Sequence, residues 1–189
     1  MRLFFALPVP AQAQERLRPV LQAARQAGEE GVSFTRSDQL HFTLAFLGEQ
    51  PGPEEALAAG EPLRDTRPFE VALSGAGAFP NTARPRVLWL GVSDGAAEMM
   101  DAAERLRAAL RQRGFQIEDR KFRAHLTIGR VRPRGERFAR RALAAIKPEE
   151  FARWTAREAS LVQSVLGRGG ATHTVLRAFA FSPGSVART

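Results

Sequence analysis

The chain has 189 residues, of which 44% are hydrophobic and 25% are charged, and this balance is typical of a globular protein long enough to bury a sizeable core. The net charge of +8 comes almost entirely from arginine, which favours polyanionic partners and nucleic acid first, although a GC-rich genome produces the same composition. The chain lacks cysteine, which excludes disulfides, thiolate catalysis and cysteine-ligated zinc. It also lacks any apolar run near the roughly 18 residues of a membrane span, and we expect a cytoplasmic protein that makes no membrane contact.

The first half of the chain predicts alternating strands and helices. The predicted elements are a strand at residues 2–8, a helix at 11–27, a strand around His41 that ends at Gly48, and a short helix at 53–63. Pro8 and Pro10 interrupt the opening apolar run, so a first strand is favoured over a signal peptide. Pro19 lies inside the first helical pattern, and we expect that helix to kink or to begin late.

The second half repeats the alternation. Its predicted elements are strands at 69–73 and 87–92 separated by a Gly/Pro/Arg-rich loop at 75–86, a helix at 96–113, a strand from His125, a helix at 136–146, and strands at 158–166 and 171–181 joined as a hairpin by residues 167–170. Residues 182–189 are expected to be a frayed tail. No linker divides the chain, so we predict one domain over residues 1–189 with two similar α+β halves.

Two of the three histidines occur in the same short pattern, His-apolar-Thr-apolar. One copy begins at His41 and the other at His125. Because side chains alternate along a strand, His41 and Thr43 are expected on one face, and likewise His125 and Thr127, with the apolar residues facing a core. Each histidine alone would more often be structural, and each threonine alone a simple strand former. The repetition favours a shared catalytic site, provided that the two motifs face each other.

Paired imidazoles are suited to acid–base catalysis, because their pKa near 6.5 allows one to accept a proton while the other donates one. In-line displacement at phosphorus needs this arrangement, and threonine hydroxyls can stabilise the oxygens that gain charge. A 2′,3′-cyclic phosphodiester is a fitting substrate for such a metal-free site. The sequence has no His-Glu-x-x-His motif, no acidic cluster beside either histidine and no phosphate-binding loop, so no metal or other cofactor is expected.

Four further residues are candidates for the site. Arg130 is a candidate phosphate clamp, with a merely exposed arginine as the alternative. Arg123 and Phe42 are candidates for substrate binding, although Phe42 faces away from its histidine and suits a core position better. His173 lacks a threonine two residues later, which favours a histidine on a strand surface over one that lines the site.

The two motifs, with residues 2–6, 40–48, 79–81, 85–91 and 161–176, resemble the two-histidine (2H) phosphoesterase superfamily, and specifically its RNA 2′,3′-cyclic phosphodiesterases, once named bacterial 2′-5′ RNA ligases. The resemblance covers nearly the whole chain in the same order, and Ala124, where that family often has proline, is a mild departure. It implies an α+β fold with two lobes, in which two pseudo-symmetric antiparallel sheets flank a central cleft with helices outside. The single domain would then consist of two intertwined lobes.

The resemblance also implies an activity: hydrolysis of a terminal 2′,3′-cyclic phosphate on RNA to a 2′-phosphate, without a metal or nucleotide cofactor. We expect the protein to be a monomer. His41 would be the general acid, His125 the general base, and Thr43 and Thr127 would hold the phosphate. Run in reverse with an RNA 5′-hydroxyl, the chemistry gives ATP-independent 2′-5′ joining. Two alternatives stay open: the same site acting on another cyclic phosphate or a 2′-5′ oligonucleotide, and a non-catalytic basic RNA-binding protein.

Overall fold

The computed structural model describes residues 1–167 and 170–182 as two antiparallel sheets with α-helices packed against them. In chain order the elements are β1 (Arg2–Pro8), α1 (Ala11–Gly28), β2 (Val32–Phe34), β3 (His41–Glu49), α2 (Glu54–Gly60), β4 (Phe69–Phe79), β5 (Val87–Asp94), α3 (Ala96–Gln112), β6 (His125–Val131), α4 (Glu136–Ala144), β7 (Glu150–Ala156), β8 (Glu158–Gly167) and β9 (Gly170–Ala180). Short 3-10 turns cover Ser37–Gln39 and Glu61–Asp65. Over the described ranges, none of the helices has the length and apolar character that crossing a bilayer requires.

The two sheets each contain one of the histidine motifs. The first sheet has the order β3-β1-β8-β9, and the second has the order β2-β6-β5-β4-β7. The predicted final hairpin is confirmed by the pairing of β8 with β9, in which Gly167 lies opposite Gly170. Its turn residues, 168 and 169, and the predicted tail from residue 183 onward lie outside the described residues.

The helices connect the two sheets across one shared core. Helix α1 follows β1 of the first sheet but packs against α4 and β7, whereas α3 follows β5 of the second sheet but packs against β3. Most of the buried apolar side chains of both sheets and all these helices form one continuous cluster. The α+β fold with two antiparallel sheets is therefore as expected.

Strand β1 lies in the middle of the first sheet because it is apolar on both faces. Leu3, Phe5 and Leu7 are fully buried in the shared core. Phe4 and Ala6 point to the opposite face and are also buried, against Val162 of β8. This second face supports the cavity described below.

Several boundaries differ from the sequence-based prediction. Strands β2 and β7 were not predicted, and β4 continues to Phe79, so the first five residues of the predicted 75–86 loop belong to the sheet. Gly77 in that segment has a packing role, because a Cβ at this position would lie 2.4 Å from the indole of Trp89. Helix α1 begins at Ala11 and continues through Pro19, so the prediction that this helix begins late was wrong. Burial of Leu17 and Leu21 in the core offsets the loss of the main-chain hydrogen bond that proline cannot donate.

Candidate active site

Strands β3 and β6 present the two motifs as their period of two predicts. On β3, Phe42 and Leu44 are buried while Thr43 is exposed and His41 is half-buried. On β6, Leu126 and Ile128 are fully buried while His125 and Thr127 are partly exposed. The buried partners anchor each strand in the shared core and fix the face on which histidine and threonine stand.

A β-bulge at the last residue of each motif turns one further side chain toward the same face. The pairing of β3 with β1 skips Leu44, and the pairing of β6 with β5 skips Ile128. Because a bulge adds one residue to a strand, it reverses the alternation beyond it. The residues five positions after the histidines, Phe46 and Arg130, therefore line the same cavity as the threonines.

The cavity between the sheets has a volume of about 470 Å³, within the range of small-ligand sites. Its walls include His41 and Thr43 from β3 and Thr127 and Arg130 from β6. His125 precedes Thr127 by two residues on the same strand face, so it stands next to this wall along β6. The cavity lining thus combines residues of both motifs.

Both motif histidines are oriented in the same way. The Nδ1 of His41 is 2.7 Å from the carbonyl oxygen of Gln39, and the Nδ1 of His125 is 2.6 Å from the carbonyl oxygen of Arg123. A carbonyl oxygen only accepts hydrogen bonds, so Nδ1 carries the proton in each ring and donates it. Nε2 is then the nitrogen that can exchange a proton with a substrate.

Aromatic rings fix the position of each imidazole. The ring of His41 lies 4.9 Å from that of Phe4 and 5.3 Å, edge-on, from that of His173, measured between centroids. The ring of His125 meets the ring of Phe79 edge-on at 4.9 Å, and Phe79 in turn packs on Trp89 at 5.4 Å.

The surroundings lower the pKa of both motif histidines. Burial lowers the pKa of His41 below its ordinary value of 6.5, and the nearby His173 lowers it further, while the hydrogen bond to Gln39 acts in the opposite direction. Burial also lowers the pKa of His125, where the charges of Arg123 and Arg130 add to the effect against the hydrogen bond to the Arg123 carbonyl. Both rings therefore favour the neutral form at neutral pH until an anion binds beside them.

The candidate residues fall into three groups. Arg130 lines the cavity, whereas the guanidinium of Arg123 lies 4.8 Å over the ring of Phe79, beside His125. The assignment of Phe42 to substrate binding was wrong: it is fully buried and packs against Trp154, because the strand alternation turns it into the core. His173 was expected on a strand surface but lines the cavity, because its strand β9 pairs with β8 beside β1.

Sequence reasoning missed Phe46. Its side chain is 51% exposed in the cavity, with the guanidinium of Arg2 5.0 Å above its ring. The signal was present in the spacing, since Phe46 follows His41 by the same five positions as Arg130 follows His125. The spacing places both side chains in the cavity only because of the two bulges, and these bulges arise from pairing with other strands.

No group of three or more His, Cys, Asp or Glu side chains within residues 1–167 and 170–182 is arranged to hold a metal ion. The cavity contains His41 and His173, and His125 stands beside it on β6. Together with the threonine hydroxyls and the guanidinium of Arg130, these imidazoles form a set suited to binding an anion and moving protons.

Comparison with known proteins identifies the family. The sequence model of the 2′-5′ RNA ligase superfamily matches residues 8–168. A protein of Archaeoglobus fulgidus named RNA 2′,3′-cyclic phosphodiesterase is 35% identical over 95% of this chain and 99% of its own length, and one of the same name from Methanothermobacter thermautotrophicus is 30% identical over 95% and 98%.

Solved structures show the same similarity. A crystal structure of a Thermus thermophilus protein superposes with a TM-score of 0.80 at 31% identity, covering 97% of this chain and 99% of that one. Escherichia coli LigT complexed with 3′-AMP superposes with a TM-score of 0.74 at 26% identity, covering 96% and 98%. The resemblance inferred from the two His-x-Thr motifs is therefore confirmed, and the chain belongs to the 2′-5′ RNA ligase superfamily.

Proposed function

We propose that this protein is an RNA 2′,3′-cyclic phosphodiesterase that hydrolyses the cyclic end to a 2′-phosphate. The observation that carries the proposal is the matched orientation of His41 and His125, each of which donates Nδ1–H to a main-chain carbonyl and keeps Nε2 for proton transfer. Relatives that are 30–35% identical over nearly the whole chain bear this enzyme name.

In the proposed mechanism, His125 is the general base. Its neutral Nε2 takes a proton from water as the water oxygen attacks phosphorus. The bond from phosphorus to O3′ then breaks, and His41 donates its Nε2 proton to O3′ as the general acid. The product carries a 2′-phosphate and a free 3′-hydroxyl. Positioned acid–base catalysis of this kind contributes about 10²- to 10⁴-fold in rate for each group.

The remaining cavity residues suit the charge that develops on the phosphate. Thr43 and Thr127 would donate hydroxyl hydrogen bonds to the non-bridging oxygens, and Arg130 would neutralise their charge. Binding of the anionic phosphate raises the pKa of His41, so that its proton is available for the leaving oxygen. The mechanism needs no metal ion or nucleotide. With an RNA 5′-hydroxyl in place of water, the same attack would join two RNAs through a 2′-5′ linkage.

The test is to incubate an RNA oligomer ending in a 2′,3′-cyclic phosphate with wild type, His41→Ala and His125→Ala in EDTA. His173→Ala is the matched control, because His173 lies in the same cavity without being part of a His-x-Thr motif. We expect wild type to yield the 2′-phosphate, both motif variants to lose at least about 10²-fold in kcat, and the control to lose less than tenfold.

Three other results would each contradict part of the proposal. A 3′-phosphate product would mean that O2′, and not O3′, is the leaving oxygen. Activity on cyclic mononucleotides or 2′-5′ oligonucleotides but not on the RNA end would mean that the site serves another substrate. An intact cyclic end with all proteins, together with undiminished RNA binding by the variants, would mean that the histidines are structural and the protein only binds RNA.

A further inference from the structure

The positive charge of this chain is concentrated in one segment. Residues 120–141 contain nine of the 28 Lys and Arg residues and one of the 20 Asp and Glu residues, Glu136. The rest of the chain therefore has 19 residues of each sign and is neutral. The net charge of +8 is thus local, and this argues against a uniform compositional bias as its cause.

Ion pairs neutralise many arginines elsewhere but not in this segment. Nine arginines form ion pairs with acidic side chains. Within the described ranges, none of these pairs includes a basic residue of 120–141, nor Arg84 or Arg86 of the preceding loop. Like charges that repel one another without internal compensation reduce stability unless an external anion binds.

Five of these uncompensated arginines form one surface next to the cavity. We define the basic surface as Arg84, Arg86, Arg132, Arg137 and Arg140, all of which are exposed.

Hydrogen bonds tie the parts of the basic surface together. The N–H of Val131 donates to the carbonyl of Arg86 at 2.9 Å, which holds the 80s loop against the end of β6. Arg140 donates from Nη1 to the carbonyl of Ala83 at 3.2 Å, which holds α4 against the same loop. Arg132 follows the cavity residue Arg130 by two positions, so the surface begins where the cavity wall ends.

The shape of the basic surface suits a strand of phosphates better than a single ion. Arg137 and Arg140 stand three positions apart on the outer face of α4, whose inner face is buried at Ala139 and Ala142. The helix has nine residues and so extends over roughly 13 Å. Guanidinium groups spread along an exposed helix can each contact a different phosphate but cannot close around one anion.

The cavity leaves room for little more than the end of an RNA, so the rest of the strand must leave it. Of the three arginines that line the cavity, Arg36 forms an ion pair with Asp38, whereas Arg2 and Arg130 form none within residues 1–167 and 170–182. The guanidinium of Arg2 lies over the ring of Phe46, whereas Arg130 belongs to the basic segment 120–141. The local excess of positive charge therefore favours a polyanion on the Arg130 side.

We propose that the basic surface binds the sugar-phosphate backbone of the single-stranded RNA that leads away from the cyclic end. This inference rests on the proposed function for the placement of the RNA terminus. It makes the enzyme prefer oligomers to cyclic mononucleotides without reading their sequence, because guanidinium–phosphate contacts carry no base information.

The test measures hydrolysis of two substrates by the triple variant Arg132→Gln/Arg137→Gln/Arg140→Gln. The substrates are a uridine decamer that ends in a 2′,3′-cyclic phosphate and the mononucleotide 2′,3′-cyclic UMP. The matched control is Arg16→Gln/Arg67→Gln/Arg157→Gln, which removes the same charge from exposed arginines outside the basic surface. We expect the triple variant to lower kcat/KM for the decamer relative to cyclic UMP by about 10- to 100-fold at 50 mM salt, and the control to change this ratio less than threefold.

Binding measurements separate this inference from the proposed function. With a decamer that lacks the cyclic phosphate, the slope of log affinity against log salt should become shallower by about 2 in the triple variant, since each phosphate contact on a single strand contributes about 0.7. If wild type hydrolyses neither substrate but the slope changes as expected, the proposed enzyme activity is wrong and the proposed RNA binding by the basic surface is supported. An unchanged slope together with an unchanged substrate ratio would contradict RNA binding by the basic surface.

Should the triple variant fold poorly by thermal unfolding, the single charge reversal Arg137→Glu replaces it. The guanidinium of Arg137 stacks on the ring of Phe138 at 4.4 Å and makes no ion pair within the described residues, so its replacement disturbs little of the fold. We expect the same direction of change in the decamer-to-cUMP ratio, and no change in this variant would overturn the proposal.

Discussion

Phe42 and Phe46 provide a matched comparison, because they lie on one strand with opposite environments. Phe42 is fully buried and its ring lies 6.2 Å from that of Trp154, whereas Phe46 is 51% exposed in the cavity. Replacing a fully buried phenylalanine with alanine removes its transfer free energy and leaves a void, and together these lower the free energy of unfolding by about 3–5 kcal/mol. For a chain of this size we therefore expect Phe42→Ala to lower Tm by about 6–20 °C.

Phe46→Ala should have the opposite profile. It removes a half-exposed ring and its contact with the Arg2 guanidinium, which costs about 1 kcal/mol in unfolding free energy or less. Phe46 also lines the cavity, where its ring can stack on a base, an interaction of about 1–3 kcal/mol. We expect KM for a cyclic mononucleotide to rise about 5- to 150-fold.

The assay combines thermal unfolding with kcat and KM for both variants at a temperature where both are folded. A Phe42→Ala variant that keeps the wild-type Tm and raises KM would refute the reasoning, because Phe42 would then contact substrate. So would a Phe46→Ala variant that unfolds as early as Phe42→Ala with an unchanged KM.

Three further predictions concern protons and packing. Burial lowers the pKa of both His41 and His125, and kcat/KM reports the protonation of the free enzyme. We therefore expect kcat/KM for a 2′,3′-cyclic mononucleotide, measured in EDTA, to begin to fall with rising pH already below pH 6.5, where free His41 gives up its proton. A fall that begins only above about pH 7.5 would contradict this. Burial also lowers the pKa of His173, so the unfolded chain binds more protons than the folded chain just below pH 6.5. The free energy of unfolding, measured in urea, should therefore fall as the pH drops through that value. It should fall less steeply in a variant with all three histidines replaced by glutamine. Gly77→Ala would place a Cβ 2.4 Å from the Trp89 indole, and Trp89 packs on Phe79, which in turn contacts the ring of His125. We expect the displaced rings to shift His125, so that kcat falls at least about tenfold and the free energy of unfolding falls by about 1–3 kcal/mol. A wild-type kcat in this variant would contradict the transmission of the shift from Trp89 to His125.

The sequence alone was sufficient to predict the α+β class, the main helices and strands, and the family. This worked because the information is local. Strand alternation with period two places His41 beside Thr43 and His125 beside Thr127 with no knowledge of the partner strands. The same alternation already indicates that Phe42 belongs to the core, and its burial agrees with that indication and not with its assignment to the site.

The tertiary structure decided what depends on pairing between distant segments. The bulges after Thr43 and Thr127 exist only relative to β1 and β5, and they turn Phe46 and Arg130 into the cavity. His173 reaches the site because β9 pairs with β8, whose other neighbour is β1. Short strands such as β2 were not predicted, since three residues carry too little periodicity and their stability comes from pairing with β6.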